Sequence, residues 1–202
     1  MDFDRLYDMA PALKRTALHV RPREPEEIDD VAILRGEIRP PKPLVFEYMK
    51  GASGSTPRDF VSTSLVSPRL ISDRVVSVLR DFSGWSTFPV EVYGKKGERI
   101  PGYHGLVVTG RCGPIDDSRS RPVVEPPARP QGRPTRMWIG LYFDPRTWDG
   151  SDLFLPEGWA SIFVTEAVKK ALEKAKITNV MFTRLTEAEN LSSALLFGGR
   201  IP

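Results

Sequence analysis

The residues best suited to catalysis are few and widely spaced. The chain contains two histidines, His19 and His104, and one cysteine, Cys112, which lies eight residues after the second histidine. Asp116 and Asp117 follow it, so a Cys–His–Asp set can be drawn. On an extended strand, however, an eight-residue step separates two side chains by about 26 Å. The spacing therefore favours a buried cysteine and a half-exposed histidine over a catalytic pair.

Two other patterns superficially match phosphate or metal sites. The segment 51-GASGST-56 is rich in glycine, but it lacks the lysine of a nucleotide-binding loop and has no strand–loop–helix context. Two distant histidines and one cysteine form no zinc cluster, and 149-DGSD-152 lacks the ligand spacing of a calcium loop. The sequence therefore predicts no catalytic set, no cofactor and no metal.

Bulk composition indicates a globular chain without identifying a partner. The 202 residues include 29 basic and 26 acidic ones, and a formal net charge of +3 is too small to indicate nucleic acid. One cysteine permits no internal disulfide, which fits a reducing compartment. No segment approaches the roughly 20 apolar residues of a membrane-spanning helix. We expect a soluble cytoplasmic protein, with residues 1–202 forming a single domain.

Two stretches of this domain are predicted to be irregular. The first is an N-terminal arm, 1–43, which ends in the proline-rich segment 40-PPKP-43. A short strand within residues 1–20 is the alternative. The second is 111–136, whose six arginines and six prolines exclude a regular helix or a central strand. These arginines could contact nucleic-acid phosphates, but no aromatic residue accompanies them, so a nucleic-acid-binding module is the less favoured alternative.

Two loop tryptophans give the best candidates for a partner-binding surface. Trp148 and Trp159 lie among aspartate, glycine and proline residues, and exposed aromatic side chains are frequent anchors at protein interfaces. Together with Arg146, Asp149 and Asp152 they form the predicted contact set. The alternative for each tryptophan is a side chain that folds back over the core.

Two similar helix–strand units, at about 72–93 and 165–185, are the clearest elements of the sequence. In the first, one helical face carries apolar residues at positions 71, 75, 78, 79 and 82. Ser72 is a candidate N-cap, and Thr165 occupies the same place 93 residues later. The pattern predicts an α+β fold in which a mixed or antiparallel sheet is packed by a few helices. Duplication of one unit and chance similarity of two capped helices both explain the match.

Several segments, taken in order, resemble one protein family. They are 69-RLISDRVVSVLRDF-82 with 88-FPVEV-92, then 115-IDDSRS-120, 152-DLF-154 and 162-IFVTEAVKKALEKAKITNVMF-182. Their order and spacing over about residues 44–185 are similar to bacterial polymorphic-toxin immunity protein family eleven, formerly a domain of unknown function. The Arg/Pro-rich segment after Ser120 departs from that pattern.

The resemblance implies a small α+β protein that binds and neutralises a cognate protein toxin in the cytoplasm, without catalysis. It transfers no catalytic residue to this chain. The rival hypothesis from the residues themselves is a small hydrolase that uses His104 with Asp116 or Asp117. Neither the oligomeric state nor the toxin follows from the sequence.

Overall fold

Strands dominate the computed structural model, which describes residues 1–12, 14–24, 29–64, 69–125 and 135–191. The described helices are α1 (Asp30–Leu34), α2 (Asp73–Leu79) and α3 (Glu166–Lys174). The first strands are β1 (Leu6–Pro11), β2 (His19–Pro22), β3 (Leu44–Tyr48), β4 (Phe60–Thr63), β5 (Leu70–Ser72), β6 (Trp85–Tyr93), β7 (Arg99–Ile100) and β8 (Tyr103–Val108). The later ones are β9 (Gly110–Cys112), β10 (Arg121–Glu125), β11 (Thr135–Ile139), β12 (Leu153–Pro156), β13 (Ile162–Thr165), β14 (Val180–Arg184) and β15 (Glu189–Leu191).

Six strands close into a barrel. Neighbouring strands follow the order β3-β2-β4-β5-β8-β6, β6 returns to pair in parallel with β3, and β7 adds to β6 outside the ring. Apolar side chains from these strands pack together inside it, among them Val20, Phe46 and Val92. Gly105 is required at its position because a Cβ there would lie 2.0 Å from the ring of Phe88 on the paired strand.

A five-stranded sheet in the order β14-β1-β13-β12-β9 stands beside the barrel. Its one parallel pair, β12 with β9, makes the sheet mixed. One face packs with α2 and α3, through side chains that include Val75, Leu79, Val168 and Leu172. The other face carries a cluster of aromatic rings that includes Phe3, Phe143, Phe154 and Phe163. The predicted α+β class with a mixed sheet is confirmed, although the barrel was not foreseen.

Both amphipathic helices begin where a strand ends, but they are capped differently. Ser72, between β5 and α2, accepts a hydrogen bond from the N–H of Val75 at 3.4 Å. Thr165 accepts no such bond at the start of α3, and its hydroxyl donates to Asp152 at 3.3 Å. The predicted side-chain cap at Thr165 is therefore wrong, and the duplication of the two units stays a prediction.

The N-terminal arm predicted over 1–43 contains strands of both large sheets and a short helix. β1 lies between β14 and β13, and β2 lies in the barrel between β3 and β4. In α1, Ile33 packs against Phe88 and Val107. The alternative of a short strand within residues 1–20 is therefore the correct one. The local pattern did not decide it, because the strands of this region are short and pair with segments outside it.

The predicted loop over 111–136 also contains regular structure. β9 ends inside it, and β10 pairs with β11, which in turn pairs with β15. Pro122 is tolerated in β10 because this strand is the edge of the three-stranded sheet and the ring can replace an N–H that would face outward. The prediction of an irregular loop is wrong for these strands, and positions 126–134 lie outside the described residues.

The carboxylate of Asp59 joins the barrel to the turn that leads into β14. Asp59 is 6% exposed and precedes β4. It accepts hydrogen bonds from the Thr178 N–H at 2.9 Å, the Thr178 hydroxyl at 2.8 Å and the Ser72 hydroxyl at 2.8 Å. The Arg74 guanidinium donates at 2.9 Å. Burial alone raises the pKa of Asp59, but these hydrogen bonds and the Arg74 charge outweigh it and leave the pKa lowered.

We predict that Asp59→Asn lowers the free energy of unfolding by about 2–3 kcal/mol, because an amide cannot satisfy this set of donors. The matched control is Glu173→Gln, which removes the charge from an exposed ion pair and should cost less than about 0.5 kcal/mol. Urea unfolding measures both.

The same substitution should change the pH dependence of stability. A lowered folded-state pKa means that the Asp59 contribution is fully present above the unfolded value near 3.8 and is lost as pH falls through the lower folded value. The difference in the free energy of unfolding between the natural chain and Asp59→Asn should therefore shrink as the pH falls below about 4. A difference that stays constant down to about pH 2 would contradict this role.

Candidate functional site

Arg146 is the most exposed member of the predicted contact set. It lies in a short 3-10 turn, Pro145–Thr147, and its side chain is 89% exposed. Its guanidinium donates to both carboxylate oxygens of Asp144, at 3.1 and 2.6 Å. These hydrogen bonds lower the pKa of Asp144 to about 2. The pair holds a fixed guanidinium at the surface, where a partner can reach it.

Trp148 is partly buried rather than free. Its ring lies 5.4 Å from that of Phe154, and its indole N–H donates to the carbonyl of Ser151 at 3.1 Å. Most of the Trp148 side chain therefore packs against the core, as the alternative prediction states. Trp159 is half-buried beyond the other end of β12, and its backbone N–H donates to the carbonyl of Pro156.

The two aspartates of the set hold the backbone in place. Asp149 accepts the N–H of Arg111 at 2.8 Å and that of Ser151 at 2.9 Å. Asp152 accepts both the N–H and the hydroxyl of Ser83, at 2.9 and 2.8 Å. Since these oxygens already have partners, the aspartates position the loop around Trp148 more than they offer free acceptors.

A surface groove of about 440 Å³ brings two predicted residues together with residues that the sequence did not reveal. Its lining includes Arg5, Leu6, Trp148, Asp152, Thr165 and Glu166. Glu166 accepts from Arg5 at 3.0 Å and forms an ion pair with Lys170 at 3.1 Å. Hydrogen bonds from Lys170 and then Arg5 lower the pKa of Glu166. Arg5 and Glu166 are 161 residues apart, so no sequence spacing could have linked them.

The structure does not assemble the proposed hydrolase pair. The Nε2 atom of His104 lies 2.7 Å from a carboxylate oxygen of Asp73. Asp116 instead accepts from the backbone and hydroxyl of Ser118. The hypothesis that His104 acts with Asp116 or Asp117 is therefore corrected: among the described residues the partner of His104 is Asp73, an exposed residue of the first turn of α2.

Cys112 is placed as a core residue. It is buried with Leu6 and Phe143, in the cluster on the outer face of the five-stranded sheet. Burial, with a smaller effect from the Asp149 charge, raises the pKa of the thiol to about 12. A thiol with so high a pKa stays protonated at neutral pH and is a poor nucleophile.

We predict that Cys112 resists a thiol-specific reagent at pH 8 in the folded chain and reacts within seconds to minutes once the chain is unfolded in urea. Because the chain has one cysteine, the labelling signal belongs to this residue alone. Equal labelling rates with and without urea would show that the thiol is accessible and would contradict the placement.

Neither a metal cluster nor a membrane helix is found in the part of the chain that the structure describes. No three histidine, cysteine, aspartate or glutamate side chains come together there in a way that could hold a metal ion. None of the helices in this part is long and apolar enough to cross a membrane.

Comparison with protein-family models identifies the family of the chain. A search of curated proteins finds no match to the chain. The model of the Immunity protein family (Imm11), in contrast, matches residues 6–187. That span begins at the first residue of β1 and ends two residues before β15, so it contains the barrel, the five-stranded sheet and the part of the groove lining that follows Arg5. The chain belongs to the Imm11 immunity protein family.

Proposed function

We propose that this chain is a cytoplasmic immunity protein that binds a cognate bacterial toxin and neutralises it without catalysis. The observation that carries the proposal is the family match over residues 6–187. The placement of Cys112 and the pairing of His104 with Asp73 agree with action by binding. The chain acts in this proposal as one domain over residues 1–202.

The proposed contact surface is centred on the exposed Arg146 and the groove edge of Trp148. A fixed guanidinium beside an anchored aromatic ring resembles the residues that contribute most to binding at protein interfaces. Asp149 and Asp152 support this surface by holding the loop, as their backbone hydrogen bonds indicate. Trp159 extends the proposed surface beyond the far end of β12.

The direct test of this function is co-expression with the product of the neighbouring gene. We expect the chain to restore growth of cells that produce this protein and to co-purify with it. Failure of both, with the chain folded and abundant, would refute the toxin as partner. Rescue without co-purification would indicate an activity other than tight binding.

We predict that Arg146→Glu weakens the complex with the neighbouring-gene product at least tenfold, because it places a like charge beside Asp144 and removes a central cation. The matched control is Arg99→Glu. Arg99 is also an exposed arginine next to one acid, Glu91, at 3.6 Å, but it lies on β7 at the outer side of the barrel. Calorimetric titration measures both variants.

The two variants separate a local effect from a general charge effect. Equal losses of affinity for Arg146→Glu and Arg99→Glu would indicate non-specific electrostatic attraction rather than a specific contact surface. Unchanged affinity in both would remove Arg146 from the interface. Trp148→Ala is a poorer probe, since Trp148 packs on Phe154 and its truncation also lowers stability.

A further inference from the structure

The strand β14 forms an edge of the five-stranded sheet, and its register on β1 shows which backbone groups face outward. Pro11 is paired with Val180. Because proline has no N–H, this pair cannot be one that exchanges hydrogen bonds. Bonded and non-bonded pairs alternate in an antiparallel ladder, so Met181 and Thr183 direct their backbone groups to β1.

The remaining residues of β14 direct their backbone groups away from the sheet. These are Val180, Phe182 and Arg184. The first two present one N–H and one C=O at the outer edge, and Arg184 presents its N–H, because its C=O opens the 3-10 turn Leu185–Glu187. β14 is the end strand of its sheet, so no other described strand pairs with this side of it. An exposed row of this kind is a template for pairing with another extended chain.

The other sheet edges in the described residues are shorter or blocked. β9 is covered by Asp149, whose backbone and side chain bond both the C=O and the N–H of Arg111. β10 carries Pro122, which lacks an N–H. β7 has two residues and β15 has three. The edge of β14 therefore combines a length of five residues with a lack of protection.

We propose that β14 pairs with an extended strand of the toxin, which would become the sixth strand of this sheet. This inference rests on the proposed function and names the chemistry of the partner segment. Only an extended backbone offers donors and acceptors that alternate with the spacing of the three outward residues. The occupant is thus a β-strand of the partner and not a helix or a small molecule.

One end of the proposed edge lies near the groove described above. Arg184 pairs with Tyr7, the residue that follows Leu6 of the groove. Neighbouring strands lie about 4.8 Å apart, so an added strand outside β14 would lie two spacings, about 10 Å, from Leu6. Met181, beside the edge, is 48% exposed, and an apolar side chain on the added strand would cover it.

Arg184 allows a test that removes one backbone N–H with little other change to the chain. Its φ of −56° and ψ of 140° suit proline, so Arg184→Pro removes the outward N–H without forcing the backbone. Arg184→Ala is the matched control, since it loses the same side chain and its ion pair with Glu187 but keeps the N–H. We expect Arg184→Pro to bind the neighbouring-gene product about tenfold more weakly than Arg184→Ala.

Residue-resolved amide exchange gives the second readout. In the free chain, the amides of Val180, Phe182 and Arg184 should exchange fast, while those of Met181 and Thr183 are slowed by their bonds to β1. Addition of the neighbouring-gene product should slow the three outward amides. Slow exchange together with the tenfold difference supports the added strand.

Each other outcome has a separate meaning. A complex that forms and restores growth, with outward amides that still exchange fast, overturns the edge proposal and leaves the proposed function intact. Slow exchange of the outward amides in the free chain also overturns the edge proposal. If this protection grows with concentration, a second copy of the chain occupies the edge, and if it does not, an internal contact does. If no complex forms, the proposed function and this partner fail together.

Discussion

The carboxylate of Asp59 is the contact on which the arrangement of the two large sheets depends. It binds donors from the first turn of α2 and from the turn between α3 and β14, both of which border the core shared by the barrel and the five-stranded sheet. That turn also needs Asn179 at a positive φ of 61°, with its amide donating to the carbonyl of Phe60. β14 and its open edge therefore begin at a point fixed by buried polar contacts.

Local patterns predicted the helices well because their evidence is contained in a few turns of chain. The apolar positions around Val75 and Val168 lie in the core, and Ser72 caps its helix as its sequence context indicated. β1 was predicted only as an alternative to an irregular arm, because it is stabilised by pairing with residues more than 150 positions away. β10 escaped prediction because composition alone cannot tell an edge strand that tolerates Pro122 from a proline-rich loop.

The candidate surface was predicted less completely, for a related reason. Residue type marked Trp148 as an anchor, but not the contact with Phe154 that buries much of it. Asp152 was read as a contact residue, whereas its oxygens bond Ser83, 69 residues earlier. Arg5 and Glu166 reach the groove only through the pairing of β1 with β13, which no short motif encodes.

The central claim is that this chain neutralises the toxin by binding it and not by catalysing a reaction. The most direct measurement is a titration of the neighbouring-gene product's toxic activity with the purified chain, at toxin concentrations far above the dissociation constant. Binding predicts a linear loss of activity that ends at a fixed molar ratio, at once and without dependence on incubation time. Loss of activity at a small fraction of that ratio, growing with time, would show catalysis and would contradict the account.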